Sequence, residues 1–164
     1  MAAENLKSGA ITNRDATPAV LNTSQGGIVR QVWGKIEAAG GDAGSTYRFA
    51  SIPSNARAIR IWFASDDLSG AGATMDVGLY QTTANGGAVV DADFFASALD
   101  VATAAVATTE ITWERGATLI DEIEKPLWER LGLSADSKRD YDITGVSGTA
   151  AATGTMIVFC TYVV

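Results

Sequence analysis

The sequence predicts an all-β protein: an antiparallel β-sandwich of the jelly-roll type with one short helix and an extended N-terminal arm. After residue 27, apolar residues alternate with polar ones at a period of two, and Gly, Asp, Asn and Ser turns separate the alternating runs. Alternation at this period places one face of a strand in a core and the other in solvent, as in antiparallel sheets. About eight short strands with such turns fit a two-layer sandwich.

The first 27 residues differ in composition from the rest of the chain. Residues 1–27 are polar and lack a hydrophobic period, whereas residues 28–164 follow the strand pattern. A chain of 164 residues is long enough for one domain with a substantial core. The sequence therefore predicts an arm over residues 1–27 and a sandwich domain over residues 28–164.

Eight segments show the strand pattern. In the third segment Ile59, Ile61 and Phe63 share one face, and Arg60 and Trp62 lie opposite. The predicted strands are residues 28–38, 47–52, 59–63, 75–80, 96–101, 108–115, 141–146 and 154–163.

Turn and helix signals lie between these strands. Residues 85–87 (Asn-Gly-Gly) accept positive φ and predict a tight turn. Pro126 suits the first turn of a helix and Gly132 suits its C-terminal cap. We expect this short helix to close one end of the sandwich, with Trp128 and Leu131 packed inward.

The last strand is apolar on both faces. Ile157, Phe159 and Val163 alternate with a second apolar set, which is Met156, Val158, Cys160, Tyr162 and Val164. Such a strand is either central and covered twice, or an edge strand that another subunit covers. The second alternative makes Phe159, Tyr162 and Val164, with Trp62, candidates for an oligomer interface.

Composition excludes several classes of partner. The net charge is −7 and the pI is about 4.5, which argues against unaided binding to nucleic acid or to anionic membranes. No apolar run approaches the roughly 20 residues that span a bilayer, and no secretory signal is visible. The single cysteine, Cys160, is expected to be a buried, inert thiol.

The residues available for catalysis are few. The chain has no histidine, which excludes Ser-His and Cys-His nucleophilic systems and His-containing metal sites. Asp91 and Asp93 are spaced to bind a hard cation such as calcium, although turn capping is a commoner role for such residues. We expect no enzymatic activity and no cofactor.

Aromatic residues indicate a binding surface. Trp62 lies opposite the predicted core face of its strand, beside Arg60. Trp and Arg are enriched in protein interfaces, so this pair favours protein contact. A sugar-stacking platform and burial in a two-sided core are the alternatives at this position.

Several segments resemble small structural proteins of tailed bacteriophages, and together they extend over nearly the whole chain. They are residues 11–18 (ITNRDATP), 44–48 (GSTYR), 52–56 (IPSNA), 76–80 (DVGLY), 85–96 (NGGAVVDADFFA) and 123–133 (IEKPLWERLGL). The family that they resemble is that of head decoration, or cement, proteins, which lack catalytic function and lie on the outer capsid surface.

The resemblance implies a location and partners. It implies assembly in the host bacterial cytoplasm, a place on the outer surface of the virion, the major capsid protein as partner, and self-association, with a trimer favoured over a dimer. The arm would bridge capsid subunits, because 27 extended residues span about 90 Å. We expect residues 11–21 to order on that partner, with contacts from Ile11, Asn13, Arg14, Pro18, Val20 and Leu21. The alternative function is a carbohydrate-binding or receptor-binding module of a phage tail or fibre.

Overall fold

Two antiparallel four-stranded sheets form the body of the protein in the computed structural model. The structure describes residues 7, 9–19, 27–68, 73–102, 105–113, 121–148 and 152–164. The strands are β1 (Val29–Gly41), β2 (Thr46–Pro53), β3 (Arg57–Ser65), β4 (Thr74–Gln81), β5 (Val89–Asp100), β6 (Val106–Glu110), β7 (Asp140–Ser147) and β8 (Ala152–Val163). Within these residues the helices with described bounds are α1 (Gly9–Asp15) and α2 (Leu127–Arg130), with a short 3-10 turn at Thr83–Asn85.

The strand order defines a β-sandwich. The first sheet has the order β1-β8-β3-β6, and the second sheet has the order β2-β7-β4-β5. Most consecutive strands therefore lie in different sheets, an order compatible with the jelly-roll interpretation. The predicted all-β sandwich is confirmed.

The inner faces of both sheets form one core, as the alternation predicts. Ile59, Ile61 and Phe63 of β3 are fully buried or nearly so. Their counterparts across the core include Met75, Val77 and Leu79 of β4, which are completely buried.

The last strand, β8, is central. It pairs with β1 on one side and β3 on the other, so it is not an edge strand. One of its faces lies in the core, and the other lies on the outer surface of the first sheet. Tyr162 faces the core and is only 6% exposed. Tyr162 was a candidate for the oligomer interface if β8 were an edge strand, and that position is wrong because its side chain belongs to the core of the sandwich.

Cys160 is also buried on the inner face of β8. Burial raises the pKa of its thiol to about 12. The predicted buried position is confirmed, and at neutral pH the thiol stays protonated and therefore weakly nucleophilic.

Strands β5 and β6 differ most from the predicted bounds. Strand β5 begins at Val89 rather than at residue 96, because bulges in its pairing with β4 break the simple alternation there. Strand β6 begins at Val106 and ends at Glu110, short of the predicted residue 115. Beyond Glu110 the Ile111 amide still donates a hydrogen bond to the Ile61 carbonyl at 3.0 Å, but the Ile61 amide donates to the Thr112 hydroxyl at 2.9 Å. A side chain therefore takes the place of one backbone acceptor there, and the regular pairing ends.

The N-terminal segment contains a short helix where an extended arm was expected. Helix α1 covers seven residues, and an ion pair of 2.9 Å joins Lys7 to Asp15 at its end. The expectation of an extended chain is therefore wrong for residues 9–15, where the backbone satisfies its hydrogen bonds locally. Among the described residues, no helix is long and apolar enough to cross a membrane.

Helix α2 lies where Pro126 and Gly132 predicted it. Pro126 precedes its first residue, and Gly132 has a φ of 72° after its end. Leu127 is completely buried, whereas Trp128 is half-buried and Leu131 packs against the core at its edge. Leu127, rather than Trp128, is therefore the main inward anchor of this helix.

The two sheets approach closely along β1 and β2. A Cβ atom added to Gly34 would lie 2.0 Å from the carbonyl oxygen of Phe49, which is far inside van der Waals contact. Only glycine fits at this position without moving the backbone of one sheet.

Replacing Gly34 with alanine should lower the free energy of unfolding by about 2 to 3 kcal/mol, because overpacking against a rigid backbone cannot relax through a rotamer change. Urea unfolding measures the loss. The exposed residue Gln31 lies on the same strand, so Gln31→Ala is the control and should leave stability nearly unchanged. A Gly34→Ala variant as stable as the parent protein would contradict this close approach.

Candidate interaction surface

Three aromatic residues form a row across the outer surface of the first sheet. Phe159 on β8 is in register with Trp33 on β1 and with Trp62 on β3. Each lies between residues that point to the core, so all three side chains project to the outer face. Neighbours in register on one face lie close enough for their side chains to contact each other.

The three aromatic side chains of this row are only partly buried. Trp33 is 64% exposed, while Trp62 and Phe159 are half-buried. A tryptophan this exposed leaves much of a large apolar surface in water.

Aliphatic side chains extend the row in both directions along the strands. Val29, which is 71% exposed, is in register with Val163, and Ile157 is in register with Lys35. We call this surface the aromatic face. Its apolar members are Val29, Trp33, Trp62, Ile157, Phe159 and Val163. Contiguous exposed apolar patches on a soluble protein mark interaction sites.

A charged pair borders the aromatic face on the side of β6. Arg60 donates two hydrogen bonds to the carboxylate of Glu110, at 3.0 and 2.7 Å. Its guanidinium carbon also lies 5.3 Å from the centre of the Trp62 ring. The hydrogen bonds from Arg60 lower the pKa of Glu110, and the same contact raises the pKa of Arg60. The pair therefore stays ionised at neutral pH and holds Arg60 beside Trp62.

A shallow groove continues the aromatic face towards the end of β3. Its open volume is about 390 Å³, and it is lined by Lys35, Ala64, Ser65, Asp66, Thr155 and Ile157. Two acids near this end accept hydrogen bonds from Thr155. The Thr155 hydroxyl donates to the Glu37 carboxylate at 2.7 Å, and the Thr155 amide donates to the Asp66 carboxylate at 3.0 Å.

The outer surface of the second sheet has a different character. Arg48 donates hydrogen bonds to the Asp142 carboxylate at 2.7 Å and to the carbonyl oxygens of Gln81 and Gly87 at 2.7 and 2.8 Å. Its guanidinium also lies 5.5 Å from the centre of the Tyr80 ring. Polar side chains on this face therefore contact one another and join β2 and β7 to the turn between β4 and β5.

The structure brings together some of the predicted interface residues and separates others. Trp62 and Phe159 are neighbours on the aromatic face, whereas Tyr162 lies in the core. Val164 is half-buried, and its backbone pairs with that of Ile28 through two hydrogen bonds of 3.0 and 3.2 Å.

Trp33 is the member of the row that the sequence did not single out. Trp33 is two residues from both Gln31 and Lys35, so in a strand it shares a face with these polar residues. That signal indicates exposure, but the pairing of β1 with β8 was needed to place Trp33 beside Phe159.

The predicted contact residues of the arm are only partly described. Ile11 and Asn13 are half-buried in α1, Arg14 belongs to the same helix, and Pro18 is exposed after it. Val20 and Leu21 lie outside the described residues. Partner contact by these residues stays a prediction.

Asp91 and Asp93 lie at the start of β5, an edge strand of the second sheet. Within the described part of the chain, no three residues of the metal-binding types come together around a possible ion. The structure therefore adds no further ligand to the calcium site that these two residues suggested.

Comparisons with known proteins give one structural likeness. No protein-family model matches the sequence, and no curated protein matches it. The fold is similar to a chain of the cyanophage Pam1 capsid asymmetric unit, with a TM-score of 0.53 and 20% sequence identity. The likeness covers 100% of this chain and 99% of that one. The two chains therefore have similar folds.

Replacing Glu110 with glutamine should lower stability at pH 7 but not in acid. Arg60 lowers the pKa of Glu110 in the folded state, so the carboxylate stabilises the fold above its ordinary pKa of 4.5. That contribution is lost as the pH falls through the lowered pKa. Urea midpoints of the two proteins should therefore differ slightly at pH 7 and converge towards pH 2.

The exposed residue Glu124 supplies the control, since Glu124→Gln should show no such convergence. A difference between parent and Glu110→Gln that is the same at both pH values would show that the ion pair does not stabilise the fold.

Proposed function

We propose that this chain is a bacteriophage capsid decoration protein that binds the outer surface of the head and stabilises its shell. The observation that supports this most directly is the likeness, over the whole chain, to a chain of a phage capsid asymmetric unit. The resemblance of six sequence segments to cement proteins agrees with it. The aromatic face offers a surface for the protein contacts that such a role requires.

The N-terminal segment is the proposed strap to neighbouring capsid subunits. The segment joins the sandwich beside the aromatic face. There Gly27 lies so close to Val163 that a Cβ atom added to Gly27 would be 2.3 Å from the Val163 side chain. Even with residues 9–15 helical, the segment could reach at most about 75 Å. That reach is enough for the arm to contact a subunit beyond the one on which the body sits.

Other features of the proposal follow from the resemblance. The chain would act without catalysis and without a cofactor, and its partners would be the major capsid protein and further copies of itself, as a trimer or as a dimer. The net charge of −7 argues against nucleic acid and anionic membranes as partners. Assembly would take place in the host bacterial cytoplasm, on the outside of the head.

Deleting residues 1–26 should abolish attachment to heads while the body stays folded. The deletion keeps Gly27, the pairing of Ile28 with Val164 and all eight strands of the sandwich. Attachment is measured by cosedimentation with purified heads that lack this protein, and folding by circular dichroism and thermal unfolding.

A matched control replaces residues 1–26 with a Gly/Ser linker of the same length. It should also fail to attach if the sequence of the arm, and not only its presence, makes the contact. Undiminished attachment of the deletion variant would contradict the role of the arm.

A carbohydrate-binding module of a tail or fibre is the second candidate, and the row of Trp33, Phe159 and Trp62 favours it. A flat aromatic row is also a surface on which sugar rings could stack. Glycan-array binding that Trp62→Ala abolishes would support this function, whereas a decoration protein should bind no glycan on the array. Val89→Ser, an exposed change on the second sheet, is the control.

A further inference from the structure

Strand β1 lies at the edge of the first sheet. It pairs with β8 on one side, and within the described part of the chain no strand pairs with its other side. We call the side of β1 that faces away from β8 the free edge. Since β1 has 13 residues, the free edge presents a long row of backbone groups with which another strand could pair.

Hydrogen bonds at the end of the sheet show which residues of β1 face the free edge. The Ile28 and Val164 amides each donate to the carbonyl oxygen of the other residue, at 3.0 and 3.2 Å. Residues along an antiparallel pair alternate between bonding to the partner strand and pointing away from it. The register of β1 with β8 is unbroken from Val29 to Ala39. The even-numbered residues therefore bond to β8, and the amide and carbonyl groups of the odd-numbered residues point to the free edge.

Opposite charges lie two residues apart in the middle of β1. Lys35 and Glu37 are both exposed, and both are odd-numbered residues whose backbone groups point to the free edge. A lysine in an edge strand normally discourages pairing. In an antiparallel pair of two β1 strands centred on Ile36, however, Lys35 of each copy lies opposite Glu37 of the other. Opposite charges at directly facing positions stabilise a strand pair.

Other pairings of two β1 strands fit these charges less well. Odd-numbered residues must face odd-numbered ones, because only they bond at the free edge, so each pairing is centred on one residue. Centring on Lys35 or on Glu37 places like charges opposite each other, which is destabilising. Centring on Trp33 or on Gly34 leaves Lys35 and Glu37 opposite uncharged residues. Only a pairing centred on Ile36 matches each charge with its opposite.

A groove lies beside Ile36 where the edges of the two sheets meet. Its open volume is about 520 Å³, and it is lined by residues 36–41 of β1 and by residues 45–47 at the start of β2. Strands β1 and β2 are the edge strands of their sheets. Ile36 is half-buried and Ala39 is exposed at this groove. A strand added along the free edge would therefore cover apolar surface as well as pair with the backbone.

We propose that the free edge of β1 pairs with the free edge of a second copy of this chain, antiparallel and about a two-fold axis at Ile36. The two first sheets would then join in one continuous sheet across the dimer. A two-fold contact uses the same surface on both copies and closes the assembly. The inference gives a geometry to the self-association in the proposed function and rests on that part of it alone.

Amide hydrogen exchange of the full-length chain, measured by NMR from micromolar to millimolar concentration, tests the pairing. The amides of Trp33, Lys35 and Glu37 should exchange fast in dilute solution. They should exchange at least about 10-fold more slowly once sedimentation shows a dimer, because each then donates to the second copy. The amides of Gly34 and Ile36 bond to β8, so they should be protected at every concentration and serve as the internal control.

Charge reversal tests the position of the two-fold axis. Lys35→Glu should weaken dimerisation about 10-fold or more, because it places like charges opposite each other at two positions. Adding Glu37→Lys to the same chain reverses both charges and should restore the affinity to within about 3-fold of that of the parent.

Two further variants are the controls, and circular dichroism checks that every variant is folded. Gln31→Glu adds a charge to the same face of β1 at a position where the proposed pairing has no charge opposite, so it should change the affinity less than about 2-fold. Thr155→Val removes the hydroxyl that donates to Glu37 and measures the loss of that bond separately.

The outcomes separate this inference from the proposed function. A chain that stays monomeric at every concentration overturns the inference, and so does a dimer in which the odd-numbered amides of β1 stay unprotected. Protection of these amides in the monomer also overturns it, because the edge is then already covered. A charge-reversed chain that does not regain the dimer contradicts the axis at Ile36. Attachment of a monomeric chain to heads leaves the decoration role intact, whereas a β1-paired dimer that does not bind heads supports the inference and overturns that role.

Discussion

The backbone pairing of β8 with β1 on one side and β3 on the other is the constraint on which the rest of the structure depends. It joins the last described strand to the first and completes the first sheet. Its register also decides what each face presents. A shift of one residue would move Phe159 into the core and Cys160 to the surface. Both the core and the aromatic row therefore require this one register.

Side chains on the outer faces of the two sheets make different kinds of contact. On the second sheet, Arg48 contacts Asp142 and backbone carbonyl groups, so much of the polar surface stabilises its own sheet. On the first sheet, Trp33 and Val29 remain exposed beside an ion pair that positions Arg60. Because burial of apolar surface is favourable, a partner that covered Trp33 and Val29 would gain free energy from the contact.

Prediction and structure agree best in strands where apolar and polar residues alternate regularly. Alternation placed Ile59, Ile61 and Phe63 on one face correctly, and all three are in the core, since the period of a strand dictates which side chains share a face. It failed at the start of β5, where bulges interrupt the period. For Tyr162 the alternation showed that it shares a face of β8 with Cys160. It could not show whether the second sheet or another subunit covers that face.

The sequence by itself determined the β class, the inward residues of most strands, the turn at residues 85–87 and the cap of α2, because each depends on neighbours within a few residues. Only the tertiary structure decided that β8 is central, that Gly34 lies against Phe49, and that Trp33, Phe159 and Trp62 form one row. These features depend on which distant strands pair and in what register. Periodicity within one strand contains no information about its partner.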